Sequence, residues 1–426
     1  SRWADQLTWQ LCHQDSQTQQ QTFQNRVVAG APSSRSRDSR YEESLWALTS
    51  QLEKDFNWGA TAHRLIYGAD FKRLESSDLR RGQETLASTG VSTPIAPTSD
   101  FPDPTVTEIA LFTQDSISFG AWTLTPGVRY DRYEMKPHVT PEYLNSAATD
   151  PSPPRYRDSA VSPKLGVIYQ LNPQHNLYAQ YAAGFRAPQP VSIFGEFENP
   201  GMYRTLANPN LKAETSDSYE LGLRGEYSQG SFGLALFHNR YDDFIEQVRR
   251  PSSVPGFPFG EFQNVNLDKV TIYGAEARGE LYLDSLGLPL GSRTRASLAY
   301  ARGKDKESGQ PLNSVDPLKA IIGLGYDEPN GHYGAELILT LAAAKSHIDR
   351  TQTDGSPFAT SGYGLLDLTA YWQVTEAFAI NAGLNNLTDK QYWHWSDVRT
   401  LAEDTPGLAR YSQPGRHAVA NLIWSF

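Results

Sequence analysis

Apolar and polar residues alternate with a period of two through much of this chain. Tyr219, Leu221, Leu223 and Tyr227 interleave with Glu220, Gly222, Arg224 and Glu226. Leu366, Leu368, Ala370 and Trp372 interleave with Leu365, Asp367, Thr369 and Tyr371, and Ala418, Ala420, Leu422, Trp424 and Phe426 with Val419, Asn421, Ile423 and Ser425. Side chains of a strand point alternately to opposite faces, so each run reads as a strand with one apolar and one more polar face. The pattern predicts about 17 strands. They fall near residues 3–14, 18–28, 41–55, 61–73, 105–119, 121–135, 160–171, 175–185, 216–228, 231–248, 266–283, 291–302, 317–327, 331–346, 362–373, 376–385 and 415–426. Leu366, Leu368, Ala370, Trp372, Leu422 and Trp424 are expected on an outer face, and Glu220, Asp367 and Asn421 on an inner one. A one-residue slip in register would exchange the two sets.

The connections discriminate between architectures. Short links are expected at Asp15–Gln17, Phe56–Ala60, Gly120, Asn172–Gln174, Gln229–Gly230, Asp284–Leu290, Glu328–Asn330 and Val374–Thr375. Long ones are expected at 29–40, 74–104, 136–159, 186–215, 249–265, 303–316, 347–361 and 386–414. Short and long links alternate. An up-and-down transmembrane β-barrel has this asymmetry, with short periplasmic turns and long extracellular loops, whereas a soluble sandwich has no reason to place its long loops at one end. The predicted class is therefore all-β, an antiparallel up-and-down barrel wall spanning residues 1–426.

Composition agrees with that class. Hydrophobic residues make up 39% and aromatic residues 12%, and the mean hydropathy is −0.52. A barrel needs apolar residues only on alternate positions, so a polar, aromatic-rich chain suits it. No run of about 18 apolar residues is present, so helical membrane spans are absent. The formal net charge of −10 comes without a basic block and argues against a nucleic-acid partner. The lone Cys12 cannot form an internal disulfide. The nine histidines are scattered, with no metal-binding spacing among them; His347 and His394 fall in or beside long loops, and His175 at a short turn. No G-x-S-x-G elbow or phosphate-cradling loop is found, and no enzymatic activity is expected.

Two motifs mark the centre of the chain: Phe185-Arg186-Ala187-Pro188 and Asn208-Pro209-Asn210-Leu211. This FRAP–NPNL pair resembles the haem-receptor branch of the TonB-dependent outer-membrane receptors. Gly383-Leu384-Asn385-Asn386-Leu387-Thr388-Asp389-Lys390-Gln391-Tyr392, Gln413-Pro414-Gly415-Arg416 and the terminal Phe426 are similar to the C-terminal signature of the same family. The resemblance implies a bacterial outer-membrane barrel of about 22 strands, embedded in outer-membrane lipid and preceded by a plug domain. This chain is expected to lack the plug, the signal peptide and the first few strands. An odd count of 17 strands would put its two ends on opposite sides of the membrane.

Function is implied in the same way. The expected activity is uptake of haem, free or from a haemoprotein, energised by the TonB energy-coupling complex; a ferric-siderophore receptor and a truncated, non-transporting receptor are the alternatives. In that family the loop between the two motifs supplies a haem ligand. Residues 186–211 contain no His but do contain Met202 and Tyr203. Tyrosinate is a hard anionic donor suited to ferric iron, which makes Tyr203 the expected axial ligand, with Met202 a weaker donor. Arg204 is a neighbour that could favour the phenolate, and Arg186 a partner for a haem propionate or for Glu220. Pro188 fixes the backbone at the stem, and Asn208-Pro209-Asn210 returns the chain through a turn. The two stems are expected to hold Tyr203 near the lumen axis.

Overall fold

The computed structural model describes residues 3–28, 30–146, 150–199, 201–250, 252, 254–352 and 356–425. Strands take 67% of the chain and helices 6%, well below the helix content of an ordinary globular domain. The nineteen strands found among the described residues belong to one sheet. In chain order they are β1 (Gln6–Val28), β2 (Ala31–Trp58), β3 (Thr61–Leu86), β4 (Ser92–Thr98), β5 (Asp103–Phe119), β6 (Trp122–His138), β7 (Tyr156–Asn172), β8 (His175–Arg186), β9 (Phe197–Asn199) and β10 (Tyr203–Leu206). They continue with β11 (Glu214–Tyr227), β12 (Gly230–Arg250), β13 (Glu261–Tyr282), β14 (Ser292–Asp305), β15 (Lys319–Asp327), β16 (Tyr333–Ala342), β17 (Tyr363–Thr375), β18 (Phe378–Asn385) and β19 (His417–Trp424).

Sixteen of these build the wall, each antiparallel to the next: β1, β2, β3, β5, β6, β7, β8 and β11 to β19. Among the described residues no ladder joins β1 to β19, so the wall is not closed. The other three strands decorate the extracellular side.

The sequence reading erred at the N-terminal end. Residues 15–17 are no turn: Asp15, Ser16 and Gln17 pair with Ser44, Glu43 and Glu42 inside one continuous ladder. Residues 31–40, expected as loop, belong to β2; β1 ends at Val28 and β2 begins at Ala31, with Gly30 between them at φ 81°. The strict alternation of short and long links therefore fails at this one extracellular connection. Seventeen expected strands become sixteen wall strands, and β1 and β19 put their outer ends on the same, periplasmic side. The physical reason is the height of these segments. A spanning strand needs about 9–11 residues, and β2 has 28. Most of it stands beyond the hydrocarbon layer, where no lipid enforces apolar alternation.

The faces follow the register. Trp372, Ala370 and Leu368 lie opposite Ile380, Ala382 and Leu384, which in turn face Leu422, Ala420 and Ala418. Trp372, Leu422 and Trp424 are exposed on this outer face. Tyr371, Asn381 and Asn421 share the other face, with Asp367, whose carboxylate accepts the Asn386 N–H at 2.7 Å. Glu220 accepts the Tyr178 hydroxyl at 2.7 Å on that inner side, while Leu221 is exposed on the outer. A further inner pair, Arg295 with Glu336 (2.5 and 2.8 Å), crosses β15 over Gly323, where a Cβ would collide with the carboxylate. The terminal Phe426 lies outside the described residues.

Candidate functional site

The FRAP–NPNL loop folds onto the inner face rather than out into solvent. Ile193 and Phe194 of the short helix α1 (Pro190–Phe194), together with Leu211, bury against Val106 of β5, Tyr133 and Met135 of β6, and Phe101. Pro188 is fully buried. These wall residues share their face with Asp70, Arg129 and Asp131, whose ion pairs (2.7 and 2.8 Å) mark it as the polar, inner side. The loop's apolar residues thus seal a small hydrophobic cluster in an otherwise charged lumen.

Each motif has an identifiable mechanical task. Arg186 ends β8 directly opposite Glu214, which begins β11. Its guanidinium donates to the Glu214 carboxylate at 2.6 Å, and that same carboxylate, 9% exposed, accepts the Ile245 N–H at 2.9 Å. Arg186 is therefore engaged with Glu214, not with Glu220 as the sequence suggested. On the returning side, Asn208 caps its own turn by accepting the Asn210 N–H at 3.2 Å and donates to the Asn264 carbonyl at 2.8 Å. Lys212 N–H reaches Asn266 at 2.9 Å. The NPNL turn is thereby pinned to β13.

Between the motifs, β9 and β10 form a small hairpin, and β10 adds to β13 in parallel, Arg204 opposite Glu261. It occupies the edge of β13 above the point where β14 ends at Asp305, opposite Val270. Tyr203 therefore belongs to the extracellular extension of the wall, not to the lumen axis. Its ring packs against Phe197 (centroids 5.9 Å apart) and edge-on against Phe262 (5.6 Å). It is half-buried, and its hydroxyl takes part in no hydrogen bond among the described residues. Arg204 points the other way, because neighbours on a strand alternate. It pairs with Glu261 and lies over the Phe257 ring at 5.7 Å, so its charge is spent on that carboxylate rather than on the Tyr203 phenol. Met202 is exposed, and its carbonyl accepts the Phe259 N–H at 2.8 Å.

The histidines named from the sequence are apart from this loop. His394 contacts Tyr363 through a 3.2 Å hydrogen bond and packs on Tyr392, and exposed His347 bonds to Ser346 at 3.0 Å. His175 sits at the periplasmic start of β8, as expected. Among the described residues no group of three metal-ligating side chains converges. Sequence reasoning missed Glu214 and Glu261, each distant in sequence from its arginine. It also missed the arginines of β2 and β3, although Arg35-Ser36-Arg37 carries the two-residue spacing that puts both on one face.

An antiparallel wall with lipid-type residues outside, charges inside and its long connections at one end defines an outer-membrane β-barrel of the ligand-receptor type. The family model "TonB dependent receptor-like, beta-barrel" matches residues 1–387, and the chain belongs to that family. The Hemoglobin-haptoglobin utilization protein B of Neisseria meningitidis serogroup C is 31% identical over 330 residues, covering 69% of this chain and 41% of that protein. The Hemoglobin-binding protein A of Haemophilus influenzae is 26% identical over 280 residues, covering 59% of this chain and 27% of that protein. The chain thus spans about two fifths or less of these relatives' length. Among solved structures, the Copper transporter OprC superposes with a TM-score of 0.74 at 21% identity, covering 100% of this chain and 63% of its own. The unliganded ferric citrate transporter FecA gives 0.69 at 18%, covering 98% and 59%. At such identities these two structures speak for the fold alone.

Proposed function

We propose that this chain forms the barrel wall of an energised outer-membrane receptor for haem taken from a haemoprotein, and that the FRAP–NPNL loop contributes directly to haem binding. The observation that carries the reading is the state of Tyr203: a half-buried phenol between two aromatic rings, whose hydroxyl takes part in no hydrogen bond among the described residues, on a hairpin that the two motifs anchor. Flat aromatic walls suit a macrocycle, and a phenolate suits ferric iron. The names of the haemoglobin-binding relatives support the same ligand class. Arg186 and Arg204, tied to Glu214 and Glu261, serve the loop's architecture. Energy would come from a TonB-type complex acting through a part of the receptor outside this chain, and no chemical conversion of the ligand is involved.

The test is haem titration of the full-length receptor, wild type against Tyr203→Phe and Met202→Leu. Tyr203→Phe keeps the ring between Phe197 and Phe262 and removes only the donor oxygen. It should change the haem absorption spectrum and weaken binding, with barrel assembly intact, while Met202→Leu should do much less. An unchanged spectrum and affinity in Tyr203→Phe would reject the ligand assignment and favour a siderophore as cargo.

A further inference from the structure

Well above the membrane, β2 and β3 bring three arginines to the inner face. Arg37 lies opposite Gly82 and Arg35 opposite Glu84. Arg80, two residues from Gly82, shares their face by the period of a strand. The three line a cavity of about 190 Å³ that Asp100 and Phe197 close from the loop side. The nearest acids are already engaged. Asp100 pairs with Arg80, and Glu84 accepts the Ser33 hydroxyl and faces Arg26 at 3.7 Å. Glu196 and Glu198 also line it.

Arg35 and Arg37 are left over. Among the described residues neither enters an ion pair or donates a side-chain hydrogen bond, and the Arg35 Nε is buried without an acceptor. Burial disfavours the charge on both. Arg26 adds to this at Arg35 while Glu84 opposes it, and Arg35 and Arg80 add to it at Arg37 while Asp100 opposes it. A guanidinium does not escape by losing its proton. Two crowded cations around a cavity with an unused N–H call for an anion with two acceptor oxygens, which a guanidinium fork grips in plane.

The size and position of the cavity narrow the choice. It holds a carboxylate-sized group and is far too small for a macrocycle. Its wall Phe197 has the Arg80 guanidinium 4.7 Å from its ring centroid on one side and the Tyr203 ring 5.9 Å away on another. One phenylalanine thus joins the arginine cavity to the Tyr203 phenol. We infer that Arg35 and Arg37 form a carboxylate site that takes the propionate edge of a haem whose iron is presented to Tyr203, with Phe197 against the macrocycle between them. The inference rests on the haem reading above, and its test separates the two.

Haemin and its dimethyl ester, in which both propionates are blocked, are titrated into the full-length receptor in detergent. The proteins compared are wild type, the double variant Arg35→Gln/Arg37→Gln, and Tyr203→Phe, each checked for a folded barrel by heat-modifiable migration. Wild type should bind haemin on the order of tenfold more tightly than the diester. The double variant should bind both probes alike, at the wild-type diester level. Tyr203→Phe should weaken both and keep the preference for the free acid. Equal wild-type affinities, or a preference that survives in the double variant, overturn the carboxylate site and leave the haem reading standing. If haemin does not bind wild type at all, the haem reading fails, and citrate decides the site. Citrate binding that disappears in the double variant retains a carboxylate site for a free small anion, and no citrate binding overturns it.

Discussion

Arg186→Gln should open the FRAP–NPNL loop at its stem while leaving the wall folded. In the wild type the Glu214 carboxylate, 9% exposed, accepts Arg186 at 2.6 Å and the Ile245 N–H at 2.9 Å. Losing the guanidinium leaves a buried carboxylate with one backbone donor. Breaking a fully buried pair in this way costs about 3–5 kcal/mol. Here Arg186 itself is 58% exposed, and exposed pairs are worth only about 0–1 kcal/mol. The mixed geometry places the cost at about 1–2 kcal/mol, a factor of about 5–30 in the opening equilibrium. Hydrogen exchange of peptides covering 187–213, in the full-length receptor in detergent, reads that factor directly, because local opening need not involve the rest of the sheet. Glu214→Gln keeps an acceptor for both donors and should have a smaller effect. Unchanged exchange in 187–213, or an equal rise throughout β11 and β12, would refute the idea of a clasp.

Leu221→Arg places a cation on the exposed outer face of β11 and should cost about 2–4 kcal/mol near the bilayer midplane. Glu220→Gln, on the inner face, should cost much less, and equal losses in urea-dependent folding into vesicles would overturn the face assignment. Lys345 is buried just beyond β16, donating to the Val315 carbonyl under the Trp395 ring, and burial lowers its pKa to about 8. The folded state therefore binds this proton less tightly than the unfolded chain. Local stability should rise as pH climbs from about 8 towards the ordinary lysine value, and exchange of residues 343–350 should lose that rise in Lys345→Met. Gly291 has φ +94° and would set a Cβ 1.8 Å from the Asp327 carbonyl oxygen. Gly291→Ala should cost more than about 1 kcal/mol, with loosening of the β14–β15 end in exchange; unchanged protection there would show that the turn relaxes freely.

The alternation that revealed the strands is imposed by lipid, and it was legible where lipid is. β11, β17 and β19 show their faces in sequence because Leu221, Trp372 and Leu422 each need a hydrocarbon neighbour. The extracellular stretches of β1, β2 and β3 carry no such demand. Asp15 to Gln17 and Ser33 to Arg37 read as turn or loop chemistry yet lie in ladders. β9 and β10 were invisible for another reason: three and four residues carry no period, and β10 exists because the edge of β13 above Val270 is vacant. At the candidate site, the motifs located the loop and Tyr203. The arginine partners could not be found that way, since Arg204 meets Glu261 57 positions later, and only the folded hairpin brings them together.

The length of β2 fixes a distance that matters outside the cell. Its 28 residues span about 90 Å at 3.3 Å per residue, and the hydrocarbon layer accounts for only about 30 Å. The excess is a stiff mast of paired strands, and Arg35, Phe197 and Tyr203 ride near its head. On the proposed reading, a haemoprotein would be met there, well clear of the hydrocarbon layer. Capture at this height and entry across the membrane would, on that reading, be separated in space, so a variant could lose one while keeping the other.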